Sequence, residues 1–337
     1  MPGAADVSRR RTRFPRGRRM LATALALGAL AVACASEGGG GQGTTSPPPP
    51  SAQVQAVVAS VDLYAGTPQR VAVGLVTNDG ELVSYGSVDF AFTYIGTAAE
   101  PVEPQPGPAA TAAFVPTYGS EGSGDAPRIT LPSEGRGVYE ASEVLFDRAG
   151  FWQVTVTADL EGVGPQASLA TLAVAEEPAL LAPGDPAPPT DNLTLDSKGV
   201  PEAAIDSRAA TEGEIPDPEL HGWTIERALD EGRPALVVFA TPVYCVSQFC
   251  GPVTDMVQDL AGRYGDRAAF IHVEIWEDYE TQTLNEAAVE WLQFPSGDLT
   301  EPWLFLIGAD GTIADRWSTL WSQQEVEAAL DALPASG

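Results

Sequence analysis

The sequence predicts a multidomain chain, an all-β sandwich followed by a C-terminal α/β domain. Three observations carry this. Apolar and polar residues alternate at period two within residues 54–175. Strand-like and helix-like segments alternate after residue 220. Stretches rich in Gly and Pro at 34–53 and 176–220 set these parts off from each other and from the N-terminus.

In the β part, Val71, Val73 and Leu75 alternate with smaller residues before the turn Asn78-Asp79-Gly80. Val88, Phe90, Phe92 and Tyr94 share one face, with Asp89, Ala91 and Thr93 on the other. Trp152, Val154, Val156 and Ala158 alternate with Gln153, Thr155, Thr157 and Asp159. One apolar and one polar face is the pattern of half-buried antiparallel strands. About six or seven strands are expected, with a long Pro/Gly loop over residues 96–132, which suits an immunoglobulin-like sandwich. Residues 54–175 contain no cysteine, so no disulfide joins its sheets. The string Gly137-Val-Tyr-Glu, Phe146-Asp-Arg-Ala-Gly150-Phe-Trp152 resembles small extracytoplasmic bacterial Ig-like domains of the YtkA and FixH type. Some of those bind copper through Met and His. Residues 51–175 contain neither, so the resemblance implies a spacer or docking module here.

Residues 176–220 carry Pro178, Pro183, Pro186, Pro188, Pro189, Pro201, Pro216 and Pro218 among acidic residues. They read as a linker, or as an extended wrap over the following domain. In the C-terminal domain, 221–335, a helix is expected at about 224–231, a strand at 235–240 and a helix at about 246–264. A strand at 269–276 and a helix at about 281–293 follow. Strands 303–307 and 312–317 flank the turn Gly308-Ala-Asp-Gly311, and a helix at 323–333 closes the chain. Ser322 and Glu325 have capping-box spacing for that last helix. The order is a parallel pair extended by an antiparallel hairpin and closed by a helix.

The N-terminus reads as a targeting segment. Seven arginines lie within residues 9–19, and residues 20–33 form an uncharged run rich in Ala and Leu. That run is too short to span a bilayer, which needs about 20 residues, and has the length of a signal-peptide apolar core. Leu30-Ala31-Val32-Ala33-Cys34 resembles the bacterial lipoprotein box. The resemblance implies a signal peptide over 1–33, lipidation of Cys34, and a location on the outer side of a cell membrane. Residues 34–53, with Gly38 to Gly41 and Pro47 to Pro50, have nothing to bury and form a flexible tether.

The formal net charge of the chain is −28, from 18 basic and 46 acidic residues. Residues 1–33 hold seven of the basic residues and one acid, Asp6, so the remainder has 11 basic and 45 acidic residues, a net of −34. Such a surface repels nucleic acid and argues against a nucleic-acid partner.

The chemistry concentrates after the strand at 235–240. Cys245 and Cys250 are two of only three cysteines. Outside the cytosol such a pair is held as a disulfide or cycles through one. Five helical steps turn by about 500°, so on an intact helix the two sulfurs would point about 140° apart. A bond between them requires Cys245 to lie off the helix, or the first turn to unwind. Gly251-Pro252 permits this, since proline fits a first turn. The stripe Val246, Phe249, Val253, Met256, Leu260 and Tyr264 keeps helical spacing from 246 onward.

The strand-to-cysteine junction, the segment Glu301-Pro302-Trp-Leu-Phe-Leu-Ile307-Gly-Ala-Asp-Gly311 and the terminal helix together resemble a thioredoxin-like domain. The resemblance implies that Pro302 is a cis-proline facing the cysteine pair and presents backbone to an extended substrate. It implies Cys245 as attacking thiol and Cys250 as resolving thiol, acting without a cofactor on protein thiols or disulfides. Departures from the family pattern weaken the activation of the pair. Val238 stands where many members have an acid or Asn, and Tyr244 where many have Trp. Moreover, no Lys or Arg lies between Arg233 and Arg263, and Glu301 would oppose ionisation of a nearby thiol.

Other readings remain beside disulfide exchange. The first is a non-catalytic binding or assembly module with a structural disulfide. A thiol peroxidase is a weaker one, since Pro242 and Val238 stand where that family needs Thr or Ser and Pro. Copper handling is another, but His221 falls before the first helix and His272 alternates with apolar strand residues. No cluster with metal-ligand spacing is visible in the sequence, so no metal site is expected.

Overall fold

The computed structural model describes residues 54–120 and 122–334. The expected signal peptide over 1–33, Cys34 and the expected tether over 34–53 lie outside the described residues. No described helix is long and apolar enough to cross a membrane.

Nine strands occupy the first part: β1 (Val54–Val58), β2 (Pro68–Thr77), β3 (Leu82–Ser84), β4 (Ser87–Gly96), β5 (Pro101–Pro116), β6 (Arg128–Thr130), β7 (Gly137–Leu145), β8 (Gly150–Leu160) and β9 (Gly164–Val174). They form one large antiparallel sheet in the order β6-β3-β2-β7-β5-β4-β8-β9, with β1 added beside β2. The sheet folds over so that β1 meets β9, where the Ala56 N–H donates to Ser168 Oγ at 2.8 Å. The apolar faces read from the sequence are inside: Val71, Val73, Phe90, Phe92, Trp152, Val154 and Val156 are buried together.

Two details differ from expectation. The strands number nine. The segment 96–132 is not one long loop, because residues 101–116 form the longest strand of the sheet. Pro104, Pro106 and Pro108 hid it. β5 pairs with β4 along its length but meets β7 only from Ala113 onward. The prolines therefore lie where one edge of the strand is unpaired and a missing N–H costs no ladder bond.

Residues 176–220, a wrap for short, are held to the rest of the chain by side-chain hydrogen bonds. The Asp62 carboxylate accepts from the Ala179 and Leu180 N–H groups at 2.7 and 3.1 Å. The Trp291 indole N–H donates to Thr190 Oγ1 at 2.8 Å, and buried Asn192 accepts from the Ile225 N–H at 2.8 Å. Short polar side chains thus fasten a proline-rich strand that makes few ladder bonds of its own. One turn of helix, α1 (Ala209–Glu212), lies within it.

The remainder comprises α2 (Ile225–Asp230), β10 (Ala235–Ala240), α3 (Cys250–Tyr264), β11 (Ala269–Glu274), β12 (Trp276–Asp278), β13 (Thr283–Leu284), α4 (Glu286–Leu292), β14 (Trp303–Ile307), β15 (Ile313–Ser318) and α5 (Gln323–Ala332). β11, β10, β14 and β15 form a four-stranded sheet in that order. β10 and β11 are parallel, and β14 and β15 run antiparallel. Every residue of β10, β11 and β14 is buried, as strands covered on both faces must be. The Ser322–Glu325 capping box starts α5. The helix expected at 281–293 begins later, at Glu286, because the Asn285 side chain caps it through the Ala287 N–H. The β12–β13 hairpin takes the preceding residues.

The two parts share a core. Ala72, Val115 and Val138 of the large sheet pack with Leu236, Cys250, Leu320 and Trp321. Among the described residues three ion pairs cross the same junction: Arg70 to Asp315 at 2.9 Å and to Glu325 at 3.6 Å, and Arg316 to Asp62 at 2.7 Å.

Candidate functional site

Cys245 and Cys250 form a disulfide, with Cα atoms 6.0 Å apart. That spacing falls in the ordinary disulfide range. The geometric requirement is met in one way: Cys245 stays in the loop after β10, and α3 starts at Cys250. The stripe beginning at Val246 is therefore corrected. Val246 lies outside the helix and is 93% exposed, whereas Val253, Met256, Val257 and Leu260 are buried on α3.

The two cysteines differ in access. Cys250 is fully buried and Cys245 is half-buried at the loop. Ser247 Oγ lies 3.2 Å from the Cys245 sulfur. The Cys245 N–H donates to the Thr241 carbonyl at 3.1 Å, and Tyr244 stacks on Tyr279 with ring centroids 3.8 Å apart.

The Glu301–Pro302 peptide bond is cis. Pro302 comes immediately before β14, whose first residue, Trp303, pairs with Phe239 near the end of β10. This register sets the Glu301–Pro302 step beside the cysteine loop. A Glu301 carboxylate oxygen lies within 4.8 Å of both sulfurs. Burial, then the nearby Glu274 carboxylate, pushes the Glu301 carboxyl up to about 7. Glu274, in β11, is itself pushed up by burial, and accepts from the Ser207 and Ile275 N–H groups, both at 2.9 Å.

An apolar groove of about 330 Å³ runs between the cysteine loop and the large sheet. Val246 and Phe249 line one wall, and Val57, Val76 and Leu82 the other. Arg136 also lines it. The sequence around the cysteines holds no cation, and the fold brings this one from more than a hundred residues away.

A second cluster lies beneath the same loop. Asp206, Asp217, His221 and His272 are all buried, and one donor atom from each lies within 4.8 Å of the others. His221 and His272, read separately in the sequence, have ring centroids 5.1 Å apart. Arg208 pairs with Asp206 at 2.6 Å and Asp217 at 2.5 Å. Burial alone would push the Asp206 carboxyl up, but Arg208, bonded to it, and the His221 and His272 rings 3.5 Å away outweigh burial and hold the group well below the usual carboxylate range. Burial would lower His221, and its two carboxylate partners raise it above the ordinary histidine value. No sequence signal marked this cluster, because its members come from the wrap and from β11.

No protein-family model matches the chain, and no curated protein matches it.

Proposed function

We propose that the chain is a membrane-tethered, extracytoplasmic thiol–disulfide oxidoreductase, with an Ig-like module over 54–175 and a thioredoxin-like domain over 221–335. One observation carries the reading: half-buried Cys245 in a loop is bonded to buried Cys250 at a helix start, with an ionisable Glu301 beside both. The mixed sheet, with its parallel pair and antiparallel hairpin, supports the fold assignment. The lipoprotein-like box ending at Cys34 supports the location.

In the reduced protein, the Cys245 thiolate attacks one sulfur of a substrate disulfide. That bond breaks, the substrate's other sulfur leaves as a thiolate, and a mixed disulfide forms. The Cys250 thiol loses its proton to Glu301 and attacks the Cys245 sulfur. The second substrate thiolate leaves, and the Cys245–Cys250 bond is restored. The substrate gains two electrons and the protein loses two. The reverse direction uses the same atoms. Glu301, held near 7, suits proton exchange at neutral pH. Cys250 opens α3, and Ser247 Oγ lies within hydrogen-bond reach of the Cys245 sulfur. The apolar groove offers an extended substrate segment a wall opposite the cysteine loop.

Turnover of a peptide disulfide by the wild type and its loss in Cys245→Ser test the reading. Cys250→Ser is expected to accumulate the mixed disulfide, visible as an added mass on the protein. Turnover unchanged in Cys245→Ser overturns it. The pinned loop, with Tyr244 stacked on Tyr279, favours a second reading in which the disulfide only braces a binding module. A pair that stays oxidised below about −300 mV supports that alternative.

A further inference from the structure

We propose that Asp206, Asp217, His221 and His272 form a zinc site that clamps the wrap segment against the sheet. Three of the atoms that converge there, Asp217 Oδ1, His221 Nε2 and His272 Nδ1, are buried and have no hydrogen-bond partner. Buried polar atoms are nearly always partnered, so three orphans facing one point call for a ligand. The fourth donor is Asp206 Oδ2. It lies 3.5 Å from His221 Nε2 and 3.5 Å from His272 Nδ1, while His221 Nε2 lies 3.3 Å from Asp217 Oδ1. Tetrahedral zinc with bonds of about 2.0–2.2 Å needs ligand–ligand edges of about 3.3–3.6 Å. The three measured edges fall in that window.

The surroundings suit a cation. His272 Nε2–H donates to the Ala240 carbonyl at 3.1 Å, which leaves Nδ1 as the lone-pair nitrogen facing the cluster. This is how a ligating histidine is usually oriented. Asp206 Oδ2 also accepts from Arg208 at 2.6 and 3.2 Å, so a metal there would share this oxygen with the guanidinium. Charge agrees as well. Asp206, Asp217 and Asp255 face Arg208, with Asp255 3.5 Å from it. A divalent ion that displaces the His221 proton would balance this group.

The ligands come from three stretches of chain: Asp206 ahead of α1, the short turn carrying Asp217 and His221, and β11. Closing them on one ion would hold residues 206–221 under the cysteine loop, where Ser207 Oγ accepts from the Val243 N–H at 3.2 Å. The site is distinct from the cysteine pair, so its test is independent of any redox activity.

The full chain, purified without chelator or metal-affinity resin, is analysed for metal by mass spectrometry. After chelation it is titrated with Zn²⁺ by calorimetry. The expected result is one zinc per chain, a raised melting temperature on zinc addition, and little response to Mg²⁺ or Ca²⁺. Asp217→Asn and His272→Gln, checked for folding by circular dichroism, are expected to weaken binding by about 100-fold or more. The double variant Cys245→Ser, Cys250→Ser is expected to keep it. Absence of zinc in the wild type together with no binding on titration overturns the proposal. So does binding that survives in the folded Asp217→Asn chain or is lost in the cysteine variant.

Discussion

Two clusters of ionisable groups lie on either side of the loop after β10, and they behave in opposite ways. Around the disulfide, Glu301 is half-buried beside Glu274, and its carboxyl is pushed up to about 7. Beneath the loop, Asp206 is more deeply buried, yet its carboxyl is held well below the usual range. Burial raises both. The difference is the partners: Glu301 faces another acid, whereas Asp206 faces Arg208 and two histidines. The first arrangement leaves a proton free to move near neutral pH. The second locks charge in place. Ser207 joins the clusters, donating its N–H to Glu274 and accepting the loop N–H of Val243.

Substitutions can break or sharpen this contrast. The largest expected effect is on chemistry: Cys245→Ser abolishes disulfide exchange while leaving the fold, because the substituted group is half-buried and isosteric. Turnover and circular dichroism on the same sample check this. Next is Asp206→Asn, which leaves Arg208 with a weakened partner in a buried network. Breaking a buried pair costs about 3–5 kcal/mol, and denaturant unfolding would read it.

Glu301→Gln has a smaller effect of opposite sign. Glu301 holds its proton more tightly in the folded chain, so its contribution favours folding below about 4.5 and is lost as pH rises through about 7. The variant is expected to flatten the decline of stability between those values, by up to about 3 kcal/mol before solvent screening reduces it. Unfolding curves at pH 4.5 and 8 test the sign. On the proposed function, the exchange rate is expected to rise around pH 7 in the wild type and to lack that rise in the same variant. The smallest effect belongs to Val246→Ser. With the side chain 93% exposed, stability is expected to move by less than about 0.5 kcal/mol. KM for a peptide with apolar residues beside its cysteine is expected to rise, because Val246 lines the groove.

Much of the architecture was legible in local pattern. Alternation placed Phe90, Phe92, Trp152 and Val154 in one core, and the Ser322–Glu325 spacing placed the start of α5. The geometry of a five-residue cysteine spacing required Cys245 to leave the helix or the first turn to unwind, and Cys245 lies in the loop ahead of α3. The misses also had local causes. Prolines concealed β5 because propensity does not say which strand edge is unpaired. Val246 fitted the stripe of α3 by period, but period does not locate the first helical turn.

The sequence by itself determined what each segment could become: strands with two buried faces, capped helices, a paired thiol loop. Those properties depend on neighbours a few residues away. Only the tertiary structure decided which distant groups meet. It set Arg136 on the wall of the cysteine groove, bonded the wrap to Asp62, and gathered Asp206, Asp217, His221 and His272 at one point. The physical reason is that a carboxyl's ionisation and a histidine's bonding depend on dielectric and partners in space, and sequence separation carries neither.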